Sequence, residues 1–184
     1  MFYYREDIFN ELGLTVPKTW EEFAATARRL RTLDPGRHLT TFPTGEPGLF
    51  AALTHQLGAN WWSLDGDVWT VDIASAAGRQ VAEYWQGLVA DNAVATSQHW
   101  SPEWSSAMAE GRIIGFLSAV WAPPLINNIA PATLGKWNAA PLPRWSSGVG
   151  SEYAGGVMGG SATAVSSKSR NREAAKKFAV WINN

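Results

Sequence analysis

The residue types that most often carry enzymatic chemistry are scarce or badly spaced in this sequence. Cysteine is absent, which excludes a thiolate nucleophile and a thiolate metal site. The histidines His38, His55 and His99 lie too far apart for an HExxH helix or a clustered zinc site. Ser161 follows Gly160 without the spacing of a GxSxG elbow, and no Asp…His pair follows it. The sequence therefore predicts neither a serine hydrolase nor a metallohydrolase.

Two further motifs begin but are not completed. Gly148 and Gly150 open a GxG, but Tyr153 occupies the third glycine position of a dinucleotide fingerprint. Asp65 and Asp67 resemble the start of a calcium loop, yet no glutamate stands at the closing position. We interpret the first as a loop and the second as a solvated turn.

Glycosidic cleavage needs a pair of carboxylates, and two loop-associated glutamates, Glu46 and Glu152, are candidates. A single sequence does not give the distance between them. Each is interpreted as a hydrogen-bond acceptor rather than as a catalytic acid or base.

Tryptophan is the unusual component, since the chain contains 11. Five are predicted in loops or at the ends of elements: Trp61, Trp62, Trp100, Trp121 and Trp145. An indole face covers the apolar C–H patches of a sugar ring, while nearby carboxylates, amides and backbone groups bond the hydroxyls. This placement predicts contact with a sugar or a similar polyol. Five others are assigned to core packing: Trp20, Trp69, Trp85, Trp104 and Trp181.

The overall composition is that of one globular domain. The 184 residues are 46% hydrophobic, and 15 basic against 16 acidic side chains give a net charge of −1. This balance lacks the cationic surface that nucleic acids require. No stretch of about 18 apolar residues appears, and the first residues lack the pattern of a signal peptide.

Helical and extended patterns alternate along the chain. Helices are predicted from apolar spacing and from signals at their ends, such as a capping box at Thr19 and Glu22. The predicted helices span residues 5–12, 19–31, 46–57, 75–90, 101–111, 125–129 and from 171 onward. Extended segments are predicted over residues 39–42, 113–117, 137–140 and 161–165, with a hairpin over 61–72. Such alternation predicts an α/β fold in which helices cover a mixed sheet.

Several segments, in order along the chain, resemble the family 1 extracellular solute-binding proteins of sugar ABC importers, a maltose-binding-protein-like family. They are YYREDIF at 3–9, LGL at 12–14, PKTWEEF at 17–23, Glu46-Pro47, Trp104 to Gly111, Trp121 after an apolar strand, APLP at 140–143, GGS at 159–161 and EAAKKF at 173–178. The resemblance implies one lobe of a type II periplasmic-binding-protein-like fold. Residues 1–184 would be a single partial domain, most of the second lobe, with the first lobe and the C-terminal remainder absent.

The resemblance also implies site residues. Glu46 matches the acid of the Glu-Pro pair that hydrogen-bonds sugar hydroxyls in maltodextrin binders, and Trp121 matches the tryptophan that stacks on the ligand. Trp100 lies near another aromatic position of the family, and Gly160 with Ser161 matches a glycine pair close to the cleft. Together with Trp61 and Trp62, these residues are the predicted ligand contacts.

Two departures from the family pattern concern specificity. Ala119-Val120 replaces the Gly-Pro that precedes the stacking tryptophan, and Gly48 replaces the aromatic that follows the Glu-Pro pair. Maltose specificity is therefore not carried over.

The resemblance implies a non-enzymatic substrate-binding component of an ABC importer, with a sugar or oligosaccharide ligand and a membrane permease as partners, no nucleic acid and no cofactor. It implies an extracytoplasmic location, periplasmic or lipid-anchored at the cell surface, with any signal segment outside this chain. The alternative is a carbohydrate-active enzyme or a carbohydrate-binding module, which also exposes tryptophan. The chain alone is expected to bind sugar weakly or not at all.

Overall fold

The computed structural model describes residues 1–146, 148, 152, 155–159 and 163–183. Helices and strands alternate along these residues, as the sequence pattern predicts. Their order is β1 (Phe2–Arg5), α1 (Glu6–Glu11), α2 (Trp20–Leu33), α3 (Pro47–Gln56), β2 (Trp62–Asp65), β3 (Val68–Val71), α4 (Ala76–Ala90), α5 (Pro102–Ala109), β4 (Gly115–Leu117), α6 (Ala122–Ile129), a 3₁₀ turn (Pro131–Thr133), β5 (Trp137–Ala140) and α7 (Arg172–Ile182).

A small sheet at the centre of the fold has the strand order β4-β1-β5, and both pairings are antiparallel. The sequence analysis did not predict β1, whose partners lie more than 100 residues away along the chain. The predicted strand over residues 39–42 forms only isolated parallel bridges, His38 with Ile113 and Thr41 with Ala95. These parallel bridges lie outside the named strands, and the strand pairs of the described sheets are all antiparallel.

The side chains of β1 alternate between the two faces of the sheet, as strand geometry requires. Phe2 and Tyr4 enter a buried cluster formed with helices α1 to α4. Tyr3 enters a second buried cluster, formed with α5 and α6. The helices therefore cover both faces of the sheet, and the predicted α/β class is confirmed.

Hydroxyl caps begin three of the helices at the residues that the sequence indicates. Thr19, Ser75 and Ser101 each accept a hydrogen bond from the backbone N–H three residues further on. Glu22 completes the start of α2 from the other side, because its Oε2 accepts from the backbone N–H of Lys18 at 2.7 Å. These local bonds fix where α2, α4 and α5 begin.

The predicted hairpin is present as β2 and β3, joined by a tight turn in which Gly66 has a φ of +59°. Every residue of both strands is exposed. The assignment of Trp69 to the core is therefore wrong: it is 67% exposed, because the two-stranded hairpin stands away from both buried clusters.

Two expectations for the C-terminal part are also wrong. Trp181 is 73% exposed, because α7 has no buried side chain to pack it against. The predicted strand over 161–165 is absent at residues 163–165, and its first two residues lie outside the described part of the chain. Trp20, Trp85 and Trp104 are buried in the core as predicted.

Candidate functional site

Glu46 occupies the N-cap position of α3, directly before Pro47. Its side chain makes no capping bond with that helix. The carboxylate instead reaches across the fold, and Oε2 lies 2.5 Å from Nδ1 of His99. The Glu46 side chain stays 22% exposed, so it is not closed off from solvent.

His99 is the buried partner of this carboxylate, and its side chain is only 2% exposed. Its ring packs edge-on against Trp104 and Phe116, with centroid separations of 5.3 and 5.2 Å. Burial lowers the pKa of His99 below its usual value, and the Glu46 carboxylate opposes that shift. From sequence, His99 was a candidate only for a metal ligand, because nothing local connects it with Glu46.

Trp100 stands in an unusual backbone conformation. The N–H of Ser101 donates to the carbonyl of Gln98 at 3.2 Å and closes a turn in which Trp100, the third residue, has a φ of +67°. Turns with a positive φ at this position normally place glycine there, because a Cβ is strained. The Trp100 side chain is nevertheless a 47% exposed indole. Backbone strain that carries an exposed aromatic side chain is typical of functional sites.

Trp121 lies beside Trp100, and the two indole centroids are 6.2 Å apart. Trp121 directly precedes α6 and is 42% exposed. The loop before it is held by Tyr3, whose hydroxyl donates to the carbonyl of Ala119 at 2.9 Å. The Trp100–Trp121 pair thus presents two partly exposed indoles, and the Trp100 indole packs in turn against the buried Trp104 and Phe116 rings.

The Trp100–Trp121 pair and the carboxylate of Glu46 belong to one connected cluster. His99 forms the link, because it bonds Glu46 through its ring and precedes Trp100 in the chain. The structure therefore brings together three of the predicted ligand contacts, Glu46, Trp100 and Trp121.

Trp61 and Trp62 are two further predicted contacts. Trp61 is buried and packs against Phe50 and Trp62, at centroid separations of 5.7 and 5.5 Å. It lines a largely apolar groove of about 610 Å³ whose wall also includes Glu46 and Gln86. Trp62 is 49% exposed and therefore offers an indole face, whereas Trp61 offers little.

The remaining candidates are Gly160, Ser161 and Trp145. Gly160 and Ser161 fall outside the described residues. Trp145 packs against Trp20 and Tyr84, at centroid separations of 6.2 and 5.3 Å, and so belongs with the first core cluster.

This cluster brings together three kinds of side chain. It combines exposed indole faces, one carboxylate able to accept hydroxyl hydrogen bonds, and a buried imidazole. Within the described residues, no three histidine, aspartate or glutamate side chains are grouped as metal ligands. None of the helices in that same part of the chain has the length and apolar character needed to cross a bilayer.

Three known proteins with similar sequences or structures are described by their names or by the sugars bound to them. The arabinooligosaccharide-binding protein of Bacillus subtilis is 24% identical over an alignment of 186 residues. The alignment covers 98% of this chain and 41% of that protein. The ABC-transporter-associated binding protein of B. animalis subsp. lactis, solved with β-1,6-galactobiose, is 27% identical with a TM-score of 0.80, over 98% of this chain and 44% of that one. The galacto-N-biose-/lacto-N-biose I-binding protein of Bifidobacterium longum, solved with lacto-N-biose, is 28% identical with a TM-score of 0.84, over 100% of this chain and 45% of that one.

The present chain therefore spans less than half the length of each of these relatives. The same fold nevertheless extends through the whole of it, and a sequence model of one family matches residues 1–184. The chain belongs to the family of bacterial extracellular solute-binding proteins.

Proposed function

We propose that this chain forms one lobe, the second, of a two-lobed binding protein that captures a sugar or oligosaccharide for an ABC importer. The observation that carries the proposal is the partly exposed Trp100–Trp121 pair, connected through His99 to the carboxylate of Glu46. The relatives named above are oligosaccharide-binding proteins, which supports the same ligand class.

Stacking on the two indoles would supply most of the contact area. An indole covers the apolar face of a pyranose or furanose ring and loses little conformational entropy in doing so. Trp100 and Trp121 are each between 40 and 50% exposed, so part of each indole is open to a ligand. Trp62 is half exposed near the groove and would contact a further ring of a longer ligand.

Glu46 would orient the ligand. A carboxylate accepts hydrogen bonds from sugar hydroxyls, and a hydrogen bond to a charged group contributes about 1.5–3 kcal/mol. Gly160 and Ser161 remain proposed contacts from sequence.

The proposed mechanism involves closure of two lobes around the sugar by a hinge motion, followed by recognition of the closed form by a membrane permease. No covalent step is needed. The protein would act outside the cytoplasm, in the periplasm or anchored by lipid at the cell surface.

Calorimetric titration of the two-lobed protein with a panel of mono- and oligosaccharides tests the proposal. We expect binding of at least one sugar and about a tenfold or greater loss of affinity in Glu46→Ala and in Trp121→Ala, since each removes more than 1.4 kcal/mol. Trp69→Ala is the matched control, because it removes an exposed indole from the hairpin instead. Unchanged affinity in both site variants would contradict the proposed site.

A glycan panel separates the proposal from the alternative of a carbohydrate-active enzyme. The same protein, incubated with each sugar that it binds, should release no product detectable by chromatography. Turnover of a bound glycan would favour the enzyme instead.

A further inference from the structure

We infer that His99 is a positioning residue that holds the Glu46 carboxylate in its ligand-binding orientation, an inference that rests on the function proposed above. The bond between them is short, 2.5 Å from Nδ1 to Oε2, and joins residues 53 positions apart. It reaches from the N-terminus of α3 to the turn that carries Trp100, so it links the two halves of the candidate site.

The direction of the hydrogen bond follows from the acceptor. An ionised carboxylate can only accept, so Nδ1 of His99 carries the proton and donates it. In a neutral ring, Nε2 is then an unprotonated nitrogen, and this buried atom has no hydrogen-bond partner among the described residues. Burial favours the neutral ring, which is consistent with this tautomer.

The histidine ring is itself immobile. It is almost completely buried. Trp104 on α5 and Phe116 on β4 pack against it in edge-on contacts. A donor fixed in this way defines the position of the oxygen that it bonds. Oε2 of Glu46 is held, and Oε1 makes no hydrogen bond with a described residue, so Oε1 is the oxygen available to a sugar hydroxyl.

Without His99, the N-terminus of α3 would compete for the Glu46 carboxylate. Glu46 occupies the N-cap of α3, where the backbone N–H groups of the first turn attract an acidic side chain. In the structure it makes no bond to that turn. The His99 donor therefore keeps the carboxylate turned away from its own helix and toward Trp100.

Three substitutions at position 99 test this inference by sugar titration of the two-lobed protein. His99→Leu removes the donor. His99→Asn places an amide N–H near the position of Nδ1, whereas His99→Gln places it near Nε2, where it does not reach Glu46. We expect His99→Leu and His99→Gln to weaken binding about tenfold, and His99→Asn to stay within about twofold of the parent.

A double-mutant cycle with Glu46→Ala separates positioning from general support of the fold. Once Glu46 is alanine, His99→Leu should cause no further loss of affinity. Parent-like affinity in His99→Leu, equal affinities in the Asn and Gln variants, or additive losses in the double variant would overturn the inference alone. Unchanged affinity in Glu46→Ala would overturn both the inference and the proposed site.

Long-range ¹H–¹⁵N NMR of the imidazole gives a second measurement that does not depend on sugar. The expected spectrum at pH 7 shows a protonated Nδ1 and an unprotonated Nε2. The opposite tautomer would overturn the inference, because Nδ1 would then have no proton to donate to Glu46.

Discussion

Replacing Trp100 by glycine and by alanine should separate the strain in its backbone from the contacts of its side chain. Both substitutions remove the indole and its packing on Trp104, Phe116 and Trp121, so these losses cancel between the two variants. What remains is the cost of a Cβ at a φ of +67°.

That cost is about 1–2 kcal/mol for an L-residue in the left-handed region. The glycine variant avoids this cost. It is, however, destabilised by about 0.4–1 kcal/mol relative to the alanine variant, because glycine makes the unfolded chain more flexible. Trp100→Gly should therefore be more stable than Trp100→Ala by about 1 kcal/mol. In a domain of this size that difference raises Tm by about 2–4 °C.

The assay is reversible unfolding in urea, monitored by circular dichroism. The free energies of unfolding of the two variants are then compared. Trp69 supplies the matched control, since it is also exposed but lies in strand β3. There the order should reverse, with alanine more stable than glycine by about 0.5–1 kcal/mol. If Trp100→Ala is as stable as Trp100→Gly, Trp100 is not strained and the functional argument from its turn fails.

Two further predictions concern buried polar groups. The side chain of Gln56 accepts a hydrogen bond from Nε1 of Trp20 and donates one to the carbonyl of Pro143, both at 2.7 Å. Gln56→Leu should lower the free energy of unfolding, measured in urea, by about 2 kcal/mol. The control is Gln86→Leu at an exposed position, which should lower it by less than about 0.5 kcal/mol. Burial raises the pKa of Tyr84 above its ordinary value of 10.0. The stability that comes from this raised pKa is therefore present below pH 10 and is lost as the pH rises further. Tyr84→Phe should reduce the decrease of the free energy of unfolding above pH 10, and an unchanged decrease above pH 10 would refute the prediction.

The helices were predictable because their signals are local. Thr19 with Glu22 and the Ser101-Pro102 pair lie within one turn of the backbone groups that they satisfy. Such bonds join neighbours in the chain, and the sequence shows them directly. The hairpin turn at Gly66 is predictable for the same reason.

Strand β1 was not predictable in this way. Phe and Tyr favour strands, but four residues at the start of α1 are too few for a periodic pattern, and the partners β4 and β5 follow more than 100 positions later. A strand is completed by hydrogen bonds to other strands, so its existence depends on which distant segment is brought beside it.

The exposure of each tryptophan was likewise decided by packing. Trp85 and Trp69 are both bulky apolar residues in regular elements, yet one is buried and the other is 67% exposed. The difference is that α4 packs against the sheet, whereas the β2–β3 hairpin stands clear of it.

By itself, the sequence determined the kind of chemistry available: many indoles, few usable nucleophiles, a nearly neutral charge and a Glu-Pro pair at the start of a helix. It also determined the helix ends, because capping and apolar spacing act over a few residues. Only the tertiary structure decided that His99 meets Glu46, and that Trp100 meets Trp121. Contacts between residues 53 and 21 positions apart form when separate elements pack on a common sheet, and no local pattern encodes that packing.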